Sequence, residues 1–319
     1  MGSTAMQSVC LYYVASRVAP SSCEMLRSRI EYVWNMPHNV EVIDITPRFL
    51  DFYERATRDA LGPDARFALW EEVYGFAGVP PTPTGRQMAR QLLDEAWDKY
   101  PNAMEVIRAG ASGLTPDPID ALRQVTALLE CDQTINMQVI AFVGGFEGNP
   151  FVFAIEGVTT LALPVEQEPE QRIFHLPHEM THVVHWANAG LPVSWERSVA
   201  RLVLEEGLAQ RATEQLVPGR TREEYTNETE PGWFERCHSQ GAAILTDLRS
   251  NLEEATSDAI TRYTVAPGPG GLIRTAYYAG WMAVGALTRN GWSLAELSKV
   301  AEERIPEVVR EGIDLVLAD

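Results

Sequence analysis

His175-Leu176-Pro177-His178-Glu179-Met180-Thr181-His182-Val183-Val184-His185 gathers four of the chain's six histidines into eleven residues. Within it stands H-E-x-x-H. Successive residues on a helix turn by about 100°, so His178 and His182 fall about 40° apart and one turn along. Two imidazoles on one ridge can both reach a zinc ion at about 2.0–2.1 Å. Glu179 projects beside them, placed to take a proton from water, and this spacing is the pattern of zinc hydrolases. The competing reading is a helix with two unrelated surface histidines. Pro177 has no amide proton for the carbonyl of Ile173, so the helix is expected to start or kink there, leaving His175 outside it.

A catalytic zinc keeps three protein ligands and one open position, so a third ligand is required. The next helical pattern, about 194–216, contains Glu205 and Glu206. With Glu206 at zero, Trp195, Val199, Leu202, Val203, Ala209 and Thr213 all lie within about 60° of it. Glu206 therefore sits in an apolar stripe, and a carboxylate aimed into a core is costly unless paired or bound to metal. His178 and His182 offer the metal; a salt bridge to Arg274 is the competing partner. Glu205 shares its face with Ser198 and Arg201 and is expected at the surface. His185 would lie about 10 Å along the axis from His178, too far to join the same ion, and is read as packing, a substrate contact or a supporting group.

Outward from these helices, Ile135–Val143, Phe151–Ile155 and Val158–Leu163 are β-branched and aromatic runs separated by Gly-rich turns. They predict a small antiparallel sheet over about 135–165. Residues 1–131 predict helices at Ser21–Trp34, Pro47–Leu61, Asp64–Gly75, Gly85–Ala109 (broken near Pro101) and Asp117–Glu130, with no ligand or nucleophile pattern. After the Glu206 helix, helices are expected at Trp233–Leu252, Leu272–Arg289, Ser293–Arg304 and Pro306–Leu317. The expectation is an α+β chain, mainly helical. It has an N-terminal helical region at 1–131, and a zincin-like domain at 132–319 whose sheet packs on the H-E-x-x-H helix.

H-E-x-x-H, 23 intervening residues and then Glu206-Gly207-Leu208-Ala209 resembles the gluzincin metallopeptidases. Tyr277-Tyr278-Ala279-Gly280-Trp281 resembles the Y-x-x-G-[aromatic] segment of a bacterial family of predicted zinc-dependent proteases. The resemblance covers roughly 135–290. It implies His178, His182 and Glu206 as zinc ligands and Glu179 as the general base. It also implies a tyrosine as oxyanion donor, Tyr278 first and Tyr277 next, with His238 and Arg274 as alternatives. One position departs from the pattern: some gluzincins carry Asp four residues after the ligand Glu, orienting a zinc histidine, and here that residue is Gln210.

Net charge is −18 over 319 residues, which argues against binding to phosphate backbones or anionic membranes. Cys10, Cys23, Cys131 and Cys237 are scattered, suggesting reduced thiols. With no long apolar run and no basic leader before Val9–Ala15, a cytoplasmic location is expected. The functional expectation is a Zn2+-dependent hydrolase, a peptidase acting on a peptide or amide bond, with Val158–Leu163 available to pair with an extended substrate. Two alternatives stand beside it: a zinc-dependent small-molecule amide hydrolase or lyase, and a non-catalytic interaction protein with a vestigial zinc site.

Overall fold

The computed structural model describes residues 13–14, 27–32, 38–79, 83–148, 150–226 and 230–318. The chain is mainly helical with a small mixed sheet, which places it in the α+β class. It divides into two compact units: Val9–Pro118 with Asn136–Arg172, and Ile119–Ile135 with Ile173–Asp319.

The first unit holds β1 (Tyr13–Val14), β2 (Arg27–Tyr32), β3 (Asn39–Asp44), α1 (Thr46–Arg58), α2 (Pro63–Val73) and β4 (Phe76–Ala77). It continues with α3 (Pro83–Ala96), α4 (Tyr100–Ala109), β5 (Asn136–Phe142), β6 (Phe151–Ile155) and β7 (Val158–Pro164). The main sheet runs β2-β3-β5-β7-β6. β3 and β7 both lie parallel to β5, while β6 is antiparallel to β7.

This corrects the expected antiparallel meander. Of β5, β6 and β7, only β6 and β7 form a hairpin, closed by Glu156 and Gly157, both at positive φ as a tight two-residue hairpin turn requires; β2 and β3 are antiparallel neighbours as well. The loop after β5 carries the chain past the space that β7 fills, so β7 ends up between β5 and β6. β7 therefore has hydrogen-bonded neighbours on both sides, and the expectation that it pairs with a substrate strand fails.

The N-terminal boundary also moves. β3 pairs residue for residue with β5, from Asn39 opposite Asn136 to Asp44 opposite Ala141, so residues before 131 share a sheet with residues after it. A split at 131/132 would cut that ladder. Within the expected helix Ser21–Trp34, Arg27–Tyr32 is strand; the rest of that stretch lies outside the described residues. The other N-terminal helices form where amphipathic spacing and Pro starts place them. α1 begins with Pro47 and buries Phe49, Phe52 and Ala56. Its first residue is anchored by Asp44, whose Oδ1 accepts from the Thr46 amide (2.9 Å) and hydroxyl (2.6 Å). Phe49 packs edge-on to Tyr100 at 4.8 Å and to Tyr74 at 5.4 Å, joining α1, α2 and α4 in one aromatic core.

The second unit is helical: α5 (Pro118–Leu128), α6 (Pro169–Ala189, from Ile173 onward), α7 (Val199–Leu216), α8 (Arg222–Tyr225), α9 (Trp233–Ser239) and α10 (Gly241–Ser250). α11 (Ser257–Thr264), α12 (Thr275–Arg289), α13 (Leu294–Ser298) and α14 (Ile305–Ala318) complete it. α7 is buried from Val199 through Gln210, as expected of a helix enclosed by others. Its closest neighbour is α12, and the two meet glycine on glycine. A Cβ on Gly207 would lie 2.4 Å from the Gly280 carbonyl oxygen, and one on Gly280 would lie 2.6 Å from the Val203 oxygen. No described helix is long and apolar enough to cross a membrane.

Candidate metal centre

α6 runs unbroken through Pro177, so His175 is helical, contrary to the expected start. A proline inside a helix forfeits one backbone hydrogen bond; here the surrounding turns continue, and the Thr181 hydroxyl donates to the Pro177 carbonyl at 2.8 Å. The helix brings His178, Glu179 and His182 together, with one ligand atom of each within 4.8 Å of the others. The two imidazoles are buried and nearly perpendicular, their centroids 4.9 Å apart. Trp186 stacks on His182 at 6.0 Å.

Glu206 comes to this cluster from α7. It is 4% exposed, and its Oε2 lies 3.3 Å from His178 Nε2. Two ligands at about 2.0–2.1 Å from a tetrahedral ion stand about 3.4 Å apart, so the pair already has the spacing of neighbouring ligands. The expected competitor, a Glu206–Arg274 bridge, is not among the ion pairs of the described residues. Electrostatics fit the same roles. Burial lowers the proton affinity of His178, but Glu206 and Glu179 outweigh it, and His178 ends up raised. Burial alone would raise Glu206; His178 and His182 hold it below the usual carboxylate range. His182 is pushed down to about 4 by burial, leaving a neutral imidazole. Glu179 is pushed up to about 8 by burial, with Glu206 adding to the effect.

The donor set of two imidazoles and one carboxylate suits zinc. His182 Nδ1 is a buried atom with no hydrogen-bond partner, and the buried Glu206 Oε2 meets only the His178 ring, so the cluster holds polar groups that a bound cation and its reorganised surroundings would satisfy.

Glu205 is a correction. It is 1% exposed rather than at the surface. Its Oε1 accepts from Trp186 Nε1 and Arg201 Nε, both at 2.7 Å, and its Oε2 pairs with Arg197 Nε at 2.7 Å. Burial would raise its pKa, but the two guanidiniums bring it down to about 2. Arg201 and Glu205 stand four residues apart in α7, the helical spacing for ion pairs, and Arg197 reaches the same carboxylate from just before the helix; the Arg201–Glu205 spacing was the available signal. The network ties α7 to α6 through the tryptophan stacked on His182.

The named oxyanion donors separate into two places. Tyr278 packs against Phe234, its hydroxyl 3.3 Å from Nδ1 of the exposed His238, and burial pushes it up to about 12. Among the described residues, no contact brings Tyr278 or His238 to His178. Tyr277 instead lies under the Arg274 guanidinium, 3.9 Å from ring to Cζ. Arg274 is buried in left-handed conformation at φ 58° and donates to the Thr226 carbonyl at 3.3 Å. Its charge opposes protonation of His178. His185 is wholly buried, neither ring nitrogen is hydrogen-bonded, and burial lowers it to about 4. Gln210 is wholly buried and likewise makes no side-chain hydrogen bond, so it does not hold a zinc histidine here.

No family model, curated protein or solved structure matches the chain. The geometry of α6 and α7 therefore carries the functional reading alone.

Proposed function

We propose that the protein is a zinc-dependent hydrolase of gluzincin type, with a zincin-type catalytic helix, cleaving peptide bonds. The observation that carries this reading is Glu206: a buried carboxylate from a separate helix, 3.3 Å from the first histidine of H-E-x-x-H. A structural pairing would need no Glu179, which stands beside both histidines with a raised proton affinity.

His178, His182 and Glu206 would hold the zinc, which when bound supplies a Lewis acid that polarises the scissile carbonyl and acidifies water. Glu179 takes the proton of the attacking water and returns it to the leaving amine nitrogen. Burial raises its proton affinity and a bound cation would lower it again, opposing shifts that favour a carboxyl able both to take and to give up a proton near neutral pH. Arg274 and Tyr277, rather than Tyr278 and His238, are the pair proposed to meet the developing oxyanion. Tyr278 is occupied with His238 in a different cluster of side chains. The Arg197–Glu205–Arg201 network keeps α7, and with it Glu206, in register with α6.

The test is zinc content by mass spectrometry on wild-type, Glu206→Ala and Glu179→Gln protein, with circular dichroism to confirm folding. Wild type should carry about one zinc per chain and Glu206→Ala should lose it. Glu179→Gln should keep zinc but lose about 10²–10⁴-fold in turnover of a peptide library. A folded Glu206→Ala that keeps its zinc, or a wild type that takes none on reconstitution, overturns the reading.

A further inference from the structure

A second cluster of acidic groups lies wholly within the sheet unit, and the proposed hydrolytic site does not use it. β5 and β7 are parallel neighbours, with Phe142 opposite Pro164, so the segments after their C-terminal ends emerge side by side. Such ends are where α/β sheets commonly bind ligands. After β5 comes Val143-Gly144-Gly145-Phe146-Glu147; after β7 comes Val165-Glu166.

The two carboxylates converge on Gly144. Glu166 Oε1 accepts from the Gly144 amide at 2.9 Å, and Glu147 Oε2 accepts from the Gly145 amide at 2.5 Å. A Cβ on Gly144 would lie 2.7 Å from Glu166 Oε1 and 3.3 Å from both oxygens of Glu147. Glu166 is only 7% exposed, yet its Oε2 has no hydrogen-bond partner. Phe146, between the two glycines and Glu147, is held at φ 65°, a strained conformation for a residue with a side chain. The turn is braced from behind: the Tyr74 hydroxyl bonds the Val143 carbonyl (2.9 Å) and amide (2.7 Å), and the Tyr100 hydroxyl donates to the Gly144 carbonyl at 2.9 Å.

The nearby cations act on these carboxyls only through space, Lys99 on Glu147 and Arg172 on Glu166, and their closest contacts are with other groups. Arg172 donates to the carbonyls of Thr115, Val165 and Gln167, and Lys99 reaches over the Phe146 ring at 5.6 Å. Two adjoining carboxylates removed from water repel each other and lose solvation, which favours a bound cation or a captured proton. Burial and the neighbouring Glu147 raise Glu166 to about 8, the response of a carboxyl in such surroundings. A small cleft that has room for about one water-sized guest adjoins Glu147, walled by Trp70, Leu92, Tyr100 and the Gly144–Gly145 turn. Carboxylate oxygens without nitrogen or sulfur donors select a hard ion.

We propose that Glu147 and Glu166, on the braced turn at Gly144, bind a hard divalent cation of the Ca2+ class, separate from the histidine cluster on α6.

The experiment uses Tb3+ as the Ca2+ surrogate on the full chain, exciting its aromatic residues, of which Trp70 and Tyr100 wall the adjoining cleft, and reading sensitised Tb3+ emission. It is run in wild type and in a His178→Ala/His182→Ala background, so that failure of the zinc reading does not affect it. Saturable emission is expected in both, displaced by Ca2+. Glu147→Gln and Glu166→Gln, which preserve side-chain shape, should each weaken Tb3+ binding by about tenfold or more. Absence of sensitised emission in the wild type, which is the outcome if the two carboxyls only share a proton, overturns the proposal. Emission unchanged in both Gln variants, or abolished by the histidine substitutions, also overturns it.

Discussion

Gly207→Ala tests whether the α7–α12 crossing sets the position of Glu206. The new methyl would lie 2.4 Å from the Gly280 carbonyl oxygen, 2.7 Å from its carbonyl carbon and 2.5 Å from Val284 Cγ2. An ordinary contact would be about 3.4 Å or more, so the overlap is about 1 Å. Val284 is β-branched and confined to about one rotamer in a helix, and the Gly280 carbonyl cannot swing aside. Alanine gains about 1 kcal/mol of helix propensity over glycine. Overpacking against backbone costs about 3 kcal/mol, at the upper end of its usual range. Packing wins, and the net loss is about 2 kcal/mol, or roughly 4 °C in the unfolding midpoint of a chain this large. Because α7 must move, the adjacent Glu206 moves too, and zinc affinity should fall by about 10–100-fold. Urea unfolding and a competitive zinc titration read both effects. Gly62→Ala, with nothing within 4 Å of the added Cβ, is the control; its change is limited to the poorer N-cap of α2, about 1 kcal/mol or less, with zinc affinity unchanged. A Gly207→Ala protein as stable as wild type, with unaltered zinc affinity, would refute the close-crossing account.

Two further outcomes follow from the buried carboxylates. Glu205→Gln keeps an acceptor for Trp186 but removes the charge facing Arg197 and leaves the 1% exposed Arg201 with only the exposed Glu302, 3.3 Å away; stability should drop by about 3 kcal/mol in urea unfolding. A loss below about 1 kcal/mol would show that solvent reaches the network. Glu166 binds its proton more tightly folded, near pH 8, than unfolded, near 4.5. Stability measured in chelator should therefore be highest below pH 4.5 and fall by a few kcal/mol as pH rises toward 8. Glu166→Gln should flatten that slope; coincident pH profiles for wild type and variant would contradict the raised affinity.

The parts legible in the sequence were those fixed by local periodicity. The ridge of His178 and His182 follows from 3.6 residues per turn, and the inward aim of Glu206 from the apolar stripe around it. The sheet was less legible because its register depends on distant partners. Asn39 pairs with Asn136 across a connection that includes α1 through α4, and no window of sequence contains both strands. Glu205 was misread for a different reason. A helical wheel separates apolar from charged faces, but α7 is enclosed all round, and its second face is covered by guanidiniums four and eight residues back. Pro177 was read as a boundary because proline removes one hydrogen bond; a helix as long as α6 tolerates that loss.

The glycines of the two quoted segments have a common cause. Gly207 follows the proposed ligand Glu206, Gly280 follows the paired tyrosines, and each occupies the space that a Cβ on the other would need. A contact this close fixes the rotation of α12 about its axis as well as its distance from α7. With Gly280 facing α7, Tyr277 lies about 60° from the contact and Tyr278 about 160° from it. Adjacent tyrosines in the sequence are therefore sent to opposite duties. Tyr278 is turned onto Phe234 and His238, away from α7, while Tyr277 stays on the side of the helix nearer Glu206, under the guanidinium whose charge reaches His178. The spacing of the motif alone ranks Tyr278 first. On the proposed hydrolytic reading the glycine contact reverses that order, because the rotation of α12 decides which phenol could approach a substrate held by α6 and α7.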